Sequence, residues 1–397
     1  MAAPKLRFKE FDADWISNKI IDLADYVDYR GKTPKKVESG ILLVTAKNIK
    51  QGYLDYSVSQ EFIEPSDFDE VMRRGKVELN DVLITTEAPL GNVASVDRTD
   101  IALAQRVIKY RGKIDLLDNL FLKQKFLSES FQEILKSKAT GGTVQGIKGS
   151  VLHQIPLIVP SKQEQTKIAS FLSNVDEKIS QLTQKHELLS QYKQGMMQKL
   201  FSQQLRFKAD DGSEFGEWEE KQLGEIIKFV NGKGHENDVD SDGSYTLINS
   251  KFLSTNGSVA KKVNKCNQKV MNDSLVMVMS DVPNGKALAK VMYIQDGSNF
   301  ALNQRIGMFI FHKDHYPKFF QYQLNRHQYY LAFDSGVGQT NLKKEDVLNC
   351  PILVPCIEEQ TTIANFLSAI DQKIEVVTQQ IEQAKTWKKG LLQQMFV

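Results

Sequence analysis

One long segment occurs twice in this chain. Residues 155–172 read IPLIVPSKQEQTKIASFL, and residues 350–367 read CPILVPCIEEQTTIANFL. At this offset of 195 positions, residues 155–201 and 350–396 are identical at 21 of 47 places. An internal repeat at a fixed offset constrains the architecture more than any other sequence feature. The chain is therefore interpreted as a duplication of one structural plan.

Shorter matches extend the duplication upstream of both copies. LRFK occurs at 6–9 and 205–208, and LAQR at 103–106 matches LNQR at 302–305. A chain of 397 residues also exceeds what one hydrophobic core usually organises. We therefore predict two globular domains, each followed by a repeated helix. The predicted segments are a globular domain at 1–155, a central helix at 156–203, a second globular domain at 204–350 and a C-terminal helix at 351–397.

Both repeated segments have the apolar spacing of a coiled coil, which we call the seam. The seam positions are Leu172, Val175, Ile179, Leu182, His186, Leu189, Lys193, Met196 and Leu200 in the first copy, and Leu367, Ile370, Ile374, Val377, Ile381, Ala384, Lys388, Leu391 and Met395 in the second. One helix alone cannot bury such a stripe, so each needs a partner, and the other copy is the obvious candidate.

We predict that the two helices pair antiparallel, because the second globule lies between them in sequence and its chain can return to the far end. A helix of about 40 residues is about 60 Å long, so the pair could set a distance between the globules. Lys193 and Lys388 occupy the same a position. A buried charge there can fix the helix register, or the lysine can extend to solvent at the seam edge.

The predicted helix starts are marked by proline and by a capping pattern. Pro160 and Pro355 precede the helices, and Ser161 with Glu164 has the spacing of a capping box. Cys356 replaces the serine in the second copy, so that cap is expected to be weaker.

The globules are predicted to be mixed α/β. Stretches rich in β-branched or aromatic residues and bounded by turn residues indicate strands at 40–49, 81–89, 274–283 and 306–312. Helices are predicted at 119–138 and 316–331. The predicted fold is thus two globular α/β domains joined by two long antiparallel helices that form a coiled-coil spacer with pseudo-twofold symmetry.

The composition excludes several classes of protein. No apolar run approaches the roughly 18 to 20 residues of a membrane-spanning helix, and the N-terminal sequence lacks a secretory pattern, so we expect a cytoplasmic protein without a membrane partner. Cys266, Cys350 and Cys356 fit neither a disulfide framework nor a zinc site. The net charge of +2 is modest for a protein that binds nucleic acid alone, so any DNA-binding surface must be locally basic.

We find no sequence pattern for catalysis, cofactor binding or metal binding. The GKT at 31–33 lacks the preceding glycine of a phosphate-binding loop, because Tyr26 stands there. The six histidines include neither H-E-x-x-H nor a Cys/His cluster. The glycine turn at 229–234 is too weak a signal for a methyltransferase site, and the charged EWEEK at 217–221 is better explained as a solvated turn than as a nuclease site.

Polar loops rich in Gly, Lys, Arg, Asn and Gln remain as candidates for contact with nucleic acid. In the first globule the candidates are Arg30, Lys32, Thr33, Lys47, Asn48, Thr86, Gln105, Arg106, Thr143, Gln145 and Lys148. In the second they are Asn231, Lys233, Asn249, Lys251, Asn284, Lys286, Gln304, Arg305, Gln339, Thr340, Asn341, Lys343 and Lys344. For any one of these loops, a plain surface turn is the simpler interpretation. For the two Gln-Arg pairs, a buried hydrogen-bonding role stays open beside base contact.

The repeated helices resemble those of the specificity subunit of type I restriction-modification systems. The shared pattern is P-x-x-x-Q-x-x-I-A-x-F-L-[SN]-x-[IV]-D-x-K-I, which starts at Pro160 and at Pro355. A T-x-x-x-[IL]-K approach precedes it, from Thr143 to Lys148 in copy one and in variant form around Thr340 in copy two. The globules resemble target recognition domains, whose sequences vary widely among relatives.

This resemblance implies a DNA-reading subunit without catalysis of its own. Each recognition domain would bind one half of a bipartite target, and the helices would set the gap and dock two modification subunits that methylate adenine. S-adenosylmethionine, ATP and Mg would be bound by the modification and restriction subunits rather than by this chain. No short tandem repeat follows the first helix, so one fixed gap length is expected. The alternatives are a duplicated coiled-coil scaffold that binds only proteins, and a self-sufficient nuclease or methyltransferase.

Overall fold

The computed structural model describes residues 4–29 and 34–397. Its contacts divide the chain into two compact units. The first unit comprises Met1–Lys185 and Val377–Val397, and the second comprises His186–Val376. Each unit contains one globule, part of the long helix that follows it and part of the other long helix. The predicted segment boundaries stay predictions, because this division passes through both helices rather than between helix and globule.

The first globule consists of short strands and helices, with one 3₁₀ turn at Pro65–Asp67, and the long helix follows it. The elements are β1 (Ile16–Lys19), α1 (Ile20–Leu23), β2 (Ala24–Asp28), β3 (Ile41–Val44), β4 (Phe62–Ile63), α2 (Phe68–Val71), β5 (Val82–Thr86), β6 (Leu90–Ser95), β7 (Ile101–Leu103), β8 (Val107–Gly112), α3 (Asn119–Leu127), α4 (Glu129–Ser137), α5 (Gly149–Leu152), β9 (Pro156–Val159) and the long helix α6 (Lys162–Phe201).

The second globule repeats most of this order, with three added elements, no counterpart of α2 and a 3₁₀ turn at Glu236–Asp238. The elements are β10 (Glu219–Gln222), α7 (Leu223–Ile226), β11 (Ile227–Asn231), β12 (Tyr245–Ile248), α8 (Ser250–Ser254), β13 (Lys261–Val263), β14 (Ser274–Val278), β15 (Ser280–Asp281), β16 (Val291–Ile294), β17 (Phe300–Leu302), β18 (Ile306–Phe311), α9 (Pro317–Leu324), α10 (Gln328–Leu331), β19 (Thr340–Asn341), α11 (Lys344–Leu348), β20 (Pro351–Val354) and the long helix α12 (Ile357–Met395). The added elements are α8, β15 and β19.

Three sheets of the first unit recur with the same strand order in the second unit, which adds a two-stranded sheet of β15 and β19. An antiparallel sheet has the order β2-β8-β5-β6 in the first unit and β11-β18-β14-β16 in the second. A three-stranded sheet follows in each, with orders β4-β3-β7 and β13-β12-β17, and its last pair is parallel. Strand β1 pairs with β9, as β10 pairs with β20. The predicted duplication and mixed α/β class are confirmed.

The interior strands β5 and β14 lie in the middle of each unit's core. All five residues of each strand are buried. Burial on both faces explains why residues 82–84 and 275–278 are uninterrupted apolar runs rather than alternating ones. In the first unit, α3 and α4 cover the sheet with Phe121, Phe126 and Phe131, all of which are buried. The helix predicted at 119–138 is interrupted because Ser128 has an extended backbone and its Oγ accepts the Phe131 amide.

Both long helices begin just after the prolines that the sequence pattern placed before them, α6 at Lys162 and α12 at Ile357. The segments predicted as helix from 156 and from 351 start with strands β9 and β20. A proline disfavours helical backbone in the residue before it, so Pro160 and Pro355 end the strands and the helices start beyond them. Only half of the predicted capping box forms, with the Ser161 Oγ accepting from the Glu164 amide at 3.4 Å.

The Glu164 carboxylate instead accepts two hydrogen bonds from Arg7, each 2.7 Å long. The second unit repeats this contact, where Arg206 donates to Glu359 at 3.1 and 2.7 Å. Both arginines belong to the LRFK matches noted in the sequence. Because both glutamates are at most 1% exposed, these ion pairs tie the start of each globule to the start of its long helix.

The helix segments pair antiparallel within each unit. In the first unit, the Phe171 and Trp387 rings lie 6.0 Å apart, while Leu172 packs in the same cluster as Met395. In the second unit, Leu200 shares a core cluster with Leu367 and its neighbours. Residues early in one helix therefore meet residues late in the other, as predicted. Every seam position is buried or half-buried. Within the described part of the chain, no helix combines the length and hydropathy needed to cross a bilayer.

The two seam lysines make ion pairs rather than extending freely into solvent. Lys388 Nζ lies 2.5 Å from Asp176 Oδ1 in the first unit, and Lys193 Nζ lies 2.5 Å from Asp371 Oδ1 in the second. The side chain of Lys388 is 14% exposed and that of Lys193 is 23% exposed. Each pair joins α6 to α12, which is the geometry that a register-fixing role requires.

Candidate nucleic-acid interface

Three predicted loops of the first unit meet at one polar cleft. The cleft has a volume of about 330 Å³. Thr86 ends strand β5, Gln105 and Arg106 form the turn before β8, and Lys148 lies in the approach to the long helix. Glu87, Thr140, Val144, Gly146 and Ile147 complete the lining. Residues far apart in sequence are thus brought to one place, as a binding surface requires.

Backbone hydrogen bonds at Thr86 hold this cleft together. The Thr86 amide donates to the Arg106 carbonyl at 2.9 Å, and the Ile147 amide donates to the Thr86 carbonyl at 3.0 Å. The end of β5 is therefore fastened on one side to the Gln-Arg turn and on the other to the approach segment. These backbone hydrogen bonds hold together the loops from which the candidate side chains project.

The second unit has the same framework at equivalent positions. The Met279 amide donates to the Arg305 carbonyl at 2.8 Å, and the Leu342 amide donates to the Met279 carbonyl at 2.8 Å. Strands β15 and β19 extend this contact. Gln339 Nε2 also donates to the Ser280 Oγ at 2.6 Å. The duplication therefore extends to the backbone that supports the candidate interface.

The arginine of each Gln-Arg turn has left-handed backbone geometry. The φ angle is +70° at Arg106 and +69° at Arg305. Residues other than glycine seldom adopt this region, and its presence at the same place in both units shows that the two turns share one backbone conformation. Both arginine side chains and Gln304 are exposed, while Gln105 is half-buried. For the three exposed side chains, the structure shows surface positions rather than the buried role that the sequence left open.

Each Gln-Arg turn contacts an acidic residue from another loop. Arg106 Nε lies 2.6 Å from Glu87 Oε1, and both side chains are about half exposed. In the second unit, Gln304 Nε2 donates to Glu236 Oε1. Neither carboxylate was among the predicted candidates, which were mainly cationic and amide side chains. In the sequence, each is only a glutamate inside a glycine-containing loop. Nothing in the sequence indicates its contact with a distant Gln-Arg turn.

Most of the predicted DNA-contact residues are exposed. The exposed members are Lys47, Arg106, Thr143, Gln145 and Lys148 in the first unit, and Asn231, Lys233, Lys251, Asn284, Lys286, Gln304, Arg305, Gln339, Asn341, Lys343 and Lys344 in the second. Arg30, Lys32 and Thr33 lie outside the described residues. Exposure makes direct contact with DNA possible at these positions.

The structure corrects the prediction for Asn48. This side chain is fully buried, and its Oδ1 accepts from the amide and the hydroxyl of Thr45 at 2.9 Å each. Its Nδ2 donates to the carbonyls of Asp55 and Ser59 at 3.0 and 2.9 Å. With its donors and its acceptor in use, Asn48 folds the loop that presents Lys47 and has no group to offer DNA.

Three other predicted residues also have supporting contacts. Thr86 and Thr340 are each 8% exposed, and their hydroxyls donate to the Arg106 carbonyl at 3.3 Å and to Asp334 Oδ1 at 3.2 Å. Asn249 is half-buried and caps α8, with its Oδ1 accepting the Phe252 amide at 2.9 Å. These bonds use the oxygen of each side chain to shape its loop.

Two aspartates that the sequence reading did not select shape the loops of the second unit. Asp281 Oδ2 accepts the amides of Ala287 and Leu288 at 2.7 and 3.1 Å. Asp334 accepts the amides of Asn284 and Gly336 at 3.0 Å each. Together they hold the loop that carries Asn284 and Lys286 next to the segment that carries Gln339. Among the described residues, no group of three or more His, Cys, Asp or Glu could hold a metal ion.

Comparisons with known proteins agree with this organisation. The family model for the type I restriction modification DNA specificity domain matches residues 14–191 and 216–386. The MjaVIII type I restriction enzyme specificity subunit of Methanocaldococcus jannaschii is 26% identical over 403 residues, covering 96% of this chain and 91% of that protein. The putative MjaX specificity subunit of the same organism is 23% identical, with 98% and 94% covered.

Solved structures show the same fold. The S subunit of a type I restriction-modification system from M. genitalium has a TM-score of 0.65 at 18% identity and covers 100% of this chain and 99% of its own. A chain from a study of complex assembly and conformational transition in the type I R-M system has a TM-score of 0.54 at 14% identity, with 97% and 98% covered. Because the family model covers most of both halves, this chain belongs to the type I restriction-modification DNA specificity family and carries its domain twice.

Proposed function

We propose that this chain is the DNA-reading subunit of a type I restriction-modification complex and that each unit binds one half of a bipartite double-stranded target. The main support is the repeated framework in which Thr86 and Met279 fasten the two Gln-Arg turns. A chain with one continuous target would have no need for two copies of this surface. Asn, Gln and Arg side chains on such turns suit the donor and acceptor pattern of the major groove.

We propose that the long helices set the unspecified gap between the two half-sites. Binding of the second unit becomes intramolecular once the first is bound, and the gain is large only when the half-site separation matches the span. The antiparallel contacts within each unit support this role, as do the ion pairs of Lys193 and Lys388 that join the two helices. Spacing would then form part of the specificity.

Partner subunits are expected to use the outer faces of these helices. Leu188, Tyr192 and Trp387 lie on the long helices outside the seam and are 58%, 51% and 55% exposed. Large apolar side chains at a surface favour protein contacts when they are not isolated. We propose two modification subunits as the occupants, with restriction subunits joining the same complex.

The chain is proposed to have no catalytic activity and to bind no cofactor itself. This proposal follows from the sequence, which lacks a phosphate-binding loop and a methyltransferase signature, and from family membership. In it, S-adenosylmethionine, ATP and Mg are bound by the partner subunits. Incubation of the purified chain with S-adenosylmethionine or Mg²⁺ and DNA should give neither methylation nor cleavage, and either product would contradict the proposal.

A mobility-shift experiment separates this function from a protein-only scaffold. The chain is combined with its modification subunits and presented with genomic DNA fragments, and bound fragments are sequenced. The proposal expects enrichment of one bipartite motif that depends on this chain. A complex that assembles fully but shows no sequence preference would favour the scaffold.

A further inference from the structure

The ion pair of Arg106 with Glu87 leaves most of the guanidinium available to a ligand. The contact is made through Nε, at 2.6 Å from Glu87 Oε1. A guanidinium has five N–H donors in a fixed plane, so the Nη edge is not needed for this pair. The arginine side chain is 56% exposed and borders the polar cleft. Glu87 thus orients an arginine whose outer edge faces solvent.

The second unit has a comparable contact built from different residues. Gln304 Nε2 donates to Glu236 Oε1. Glu236 belongs to the 3₁₀ turn at Glu236–Asp238, so the two carboxylates come from loops that are not equivalent in the duplication. One of the two Nε2 hydrogens is used, while the other and the carbonyl Oε1 remain for a ligand. Both units therefore place a carboxylate against an exposed side chain of the Gln-Arg turn.

A glycine stands close to each of these carboxylates. A Cβ at Gly146 would lie 3.4 Å from Glu87 Oε2, and a Cβ at Gly234 would lie only 2.6 Å from Glu236 Oε2. A side chain at Gly234 would therefore force the Glu236 carboxylate to move. The backbone also pairs Glu87 with Gly146 in an antiparallel bridge. The two glycines therefore leave room for the carboxylates beside Arg106 and Gln304, and a larger residue at Gly234 would disturb this arrangement.

We propose that Glu87 positions Arg106 to read a guanine in one half-site and that Glu236 positions Gln304 to read an adenine in the other. This inference rests on the proposed function. Arginine binds guanine O6 and N7 in a bidentate contact, and glutamine binds adenine N6 and N7 in the same way. A restrained arginine or glutamine loses less side-chain freedom on binding, and support from a neighbouring group keeps the reading edge in the productive orientation.

The test uses the complex of the full chain with its modification subunits and two kinds of duplex. The first kind carries the motif that the wild-type complex methylates. Each duplex of the second kind differs from it at one base pair of a half-site. Arg106→Ala is expected to lower discrimination at one G·C pair by about 5- to 150-fold. Gln304→Ala is expected to do the same at one A·T pair of the other half-site. Relaxation at a different kind of base pair would overturn the assignment.

The positioning role is tested by Glu87→Ala and Glu87→Gln. Because the pair is half exposed, Glu87→Ala is expected to weaken binding of the target by about 2- to 5-fold and to relax the same G·C pair as Arg106→Ala. Affinity for a scrambled duplex should be unchanged or slightly higher. Glu87→Gln keeps an oxygen acceptor and should retain more discrimination. Tighter binding of both duplexes would instead mean that Glu87 competes with DNA for Arg106, and the proposal would be wrong.

Three controls separate positioning from other effects. Asp69→Ala removes a carboxylate that pairs with Lys76 at 2.6 Å on an exposed surface of the same unit, so it matches the charge change and should leave base discrimination intact. In an Arg106→Ala background, Glu87→Ala should have no further effect on discrimination. Gly234→Ala displaces Glu236 without removing its charge and should relax the A·T pair, whereas unchanged discrimination would contradict the role of Glu236.

The result also separates this inference from the proposed function. A wild-type complex without a bipartite motif would contradict both. A bipartite motif that Arg106 and Gln304 variants leave unchanged would contradict the inference alone.

Discussion

Lys388 forms an ion pair with Asp176 in the first unit, and its Nζ lies 2.5 Å from Asp176 Oδ1. Lys193 and Asp371 form the same pair in the second unit, also at 2.5 Å. The repeat offset of 195 residues converts one pair into the other. The surroundings differ, because Asp176 also accepts from Gln124 Nε2 at 2.8 Å and lies 3.6 Å from Lys123 Nζ. Burial lowers the pKa of Lys123, and the nearby Asp176 opposes this effect.

Asp371 has a tyrosine as its additional partner. The Tyr322 hydroxyl donates to Asp371 Oδ2 at 2.8 Å, and burial together with Asp371 raises the pKa of Tyr322, so the hydroxyl stays a donor. The Lys193 ammonium also lies 5.1 Å from the centre of the Tyr322 ring. The same ion pair is thus supported by a lysine and a glutamine in one unit and by a tyrosine in the other.

Asp176→Asn should destabilise the chain more than Asp371→Asn. Asp176→Asn leaves two lysines with low exposure and no carboxylate, which should lower the free energy of unfolding by about 2–3 kcal/mol. Asp371 is 40% exposed and serves one lysine, so the expected loss is about 1 kcal/mol. Urea unfolding of the full-length variants measures both. Equal losses of unfolding free energy in the two variants would mean that the contact of Lys123 with Asp176 does not contribute to stability.

Arg7→Ala should be more harmful than Arg206→Ala. Both changes leave a buried glutamate without its guanidinium, for which the expected loss is about 3–5 kcal/mol. Glu359 keeps one donor, because Trp218 Nε1 donates to its Oε2 at 2.9 Å. The equivalent indole, that of Trp15, has no hydrogen-bond partner in the described part of the chain. The loss for Arg206→Ala should therefore be smaller by about 1–2 kcal/mol.

Thermal or urea unfolding of the two variants checks this order. Arg98→Ala is a suitable control, since its pair with Asp100 is exposed on both sides and should contribute little. A larger loss for Arg206→Ala than for Arg7→Ala would show that the indole contact does not compensate.

Lys148, Lys343 and Lys344 are expected to contact DNA phosphates. All three are exposed and follow or lie in turns rich in glycine or asparagine. Changing each to glutamine should weaken binding to every sequence and flatten the dependence of log affinity on log salt by about 0.9 per lost contact. Binding of the complex to specific and scrambled duplexes over a salt series measures this. A changed sequence preference at an unchanged slope would mean that these lysines read bases.

Asn48→Ala should affect folding rather than recognition. The Asn48 side chain is fully buried and makes four hydrogen bonds, three of them to backbone groups. Its loss leaves these partners unpaired, at a cost of about 1–3 kcal/mol for each one that stays buried. The variant should unfold at lower urea concentration, while the folded fraction should keep the wild-type half-site preference. A relaxed base position at unchanged stability would restore Asn48 as a contact residue.

The sequence predicted the long helices and their pairing because those features repeat locally. The seam spacing and the 195-residue offset are visible without any knowledge of long-range contacts. The prolines predicted the helix starts, but the segment bounds at 156 and 351 also include strands β9 and β20, whose residues lie inside the repeated segment. Their pairing with β1 and β10 is a long-range contact, and sequence spacing alone does not reveal such partners.

For the candidate interface, the sequence predicted the hydrogen-bond donors that could contact DNA. It did not predict the residues that hold those donors in place. Residue type pointed to Arg106 and Gln304, whose side chains are exposed. Residue type also pointed to Asn48, which is buried, because an asparagine that folds a loop and one that faces a ligand look alike in sequence. Glu87 and Glu236 were missed because their effect depends on a partner 19 and 68 positions away.

The most direct test of the central proposal is a map of methylated adenines in a host whose chain carries one extra heptad in each long helix. The heptads are inserted after Lys185 and after Val376, where each helix passes from one unit to the other. Seven helical residues add about 10 Å, which corresponds to about three base pairs of DNA. The expected motif keeps both half-sites and has a gap longer by about that amount. Altered half-sites, or the original gap at full methylation, would contradict the proposal that the helices hold two readers at a set distance.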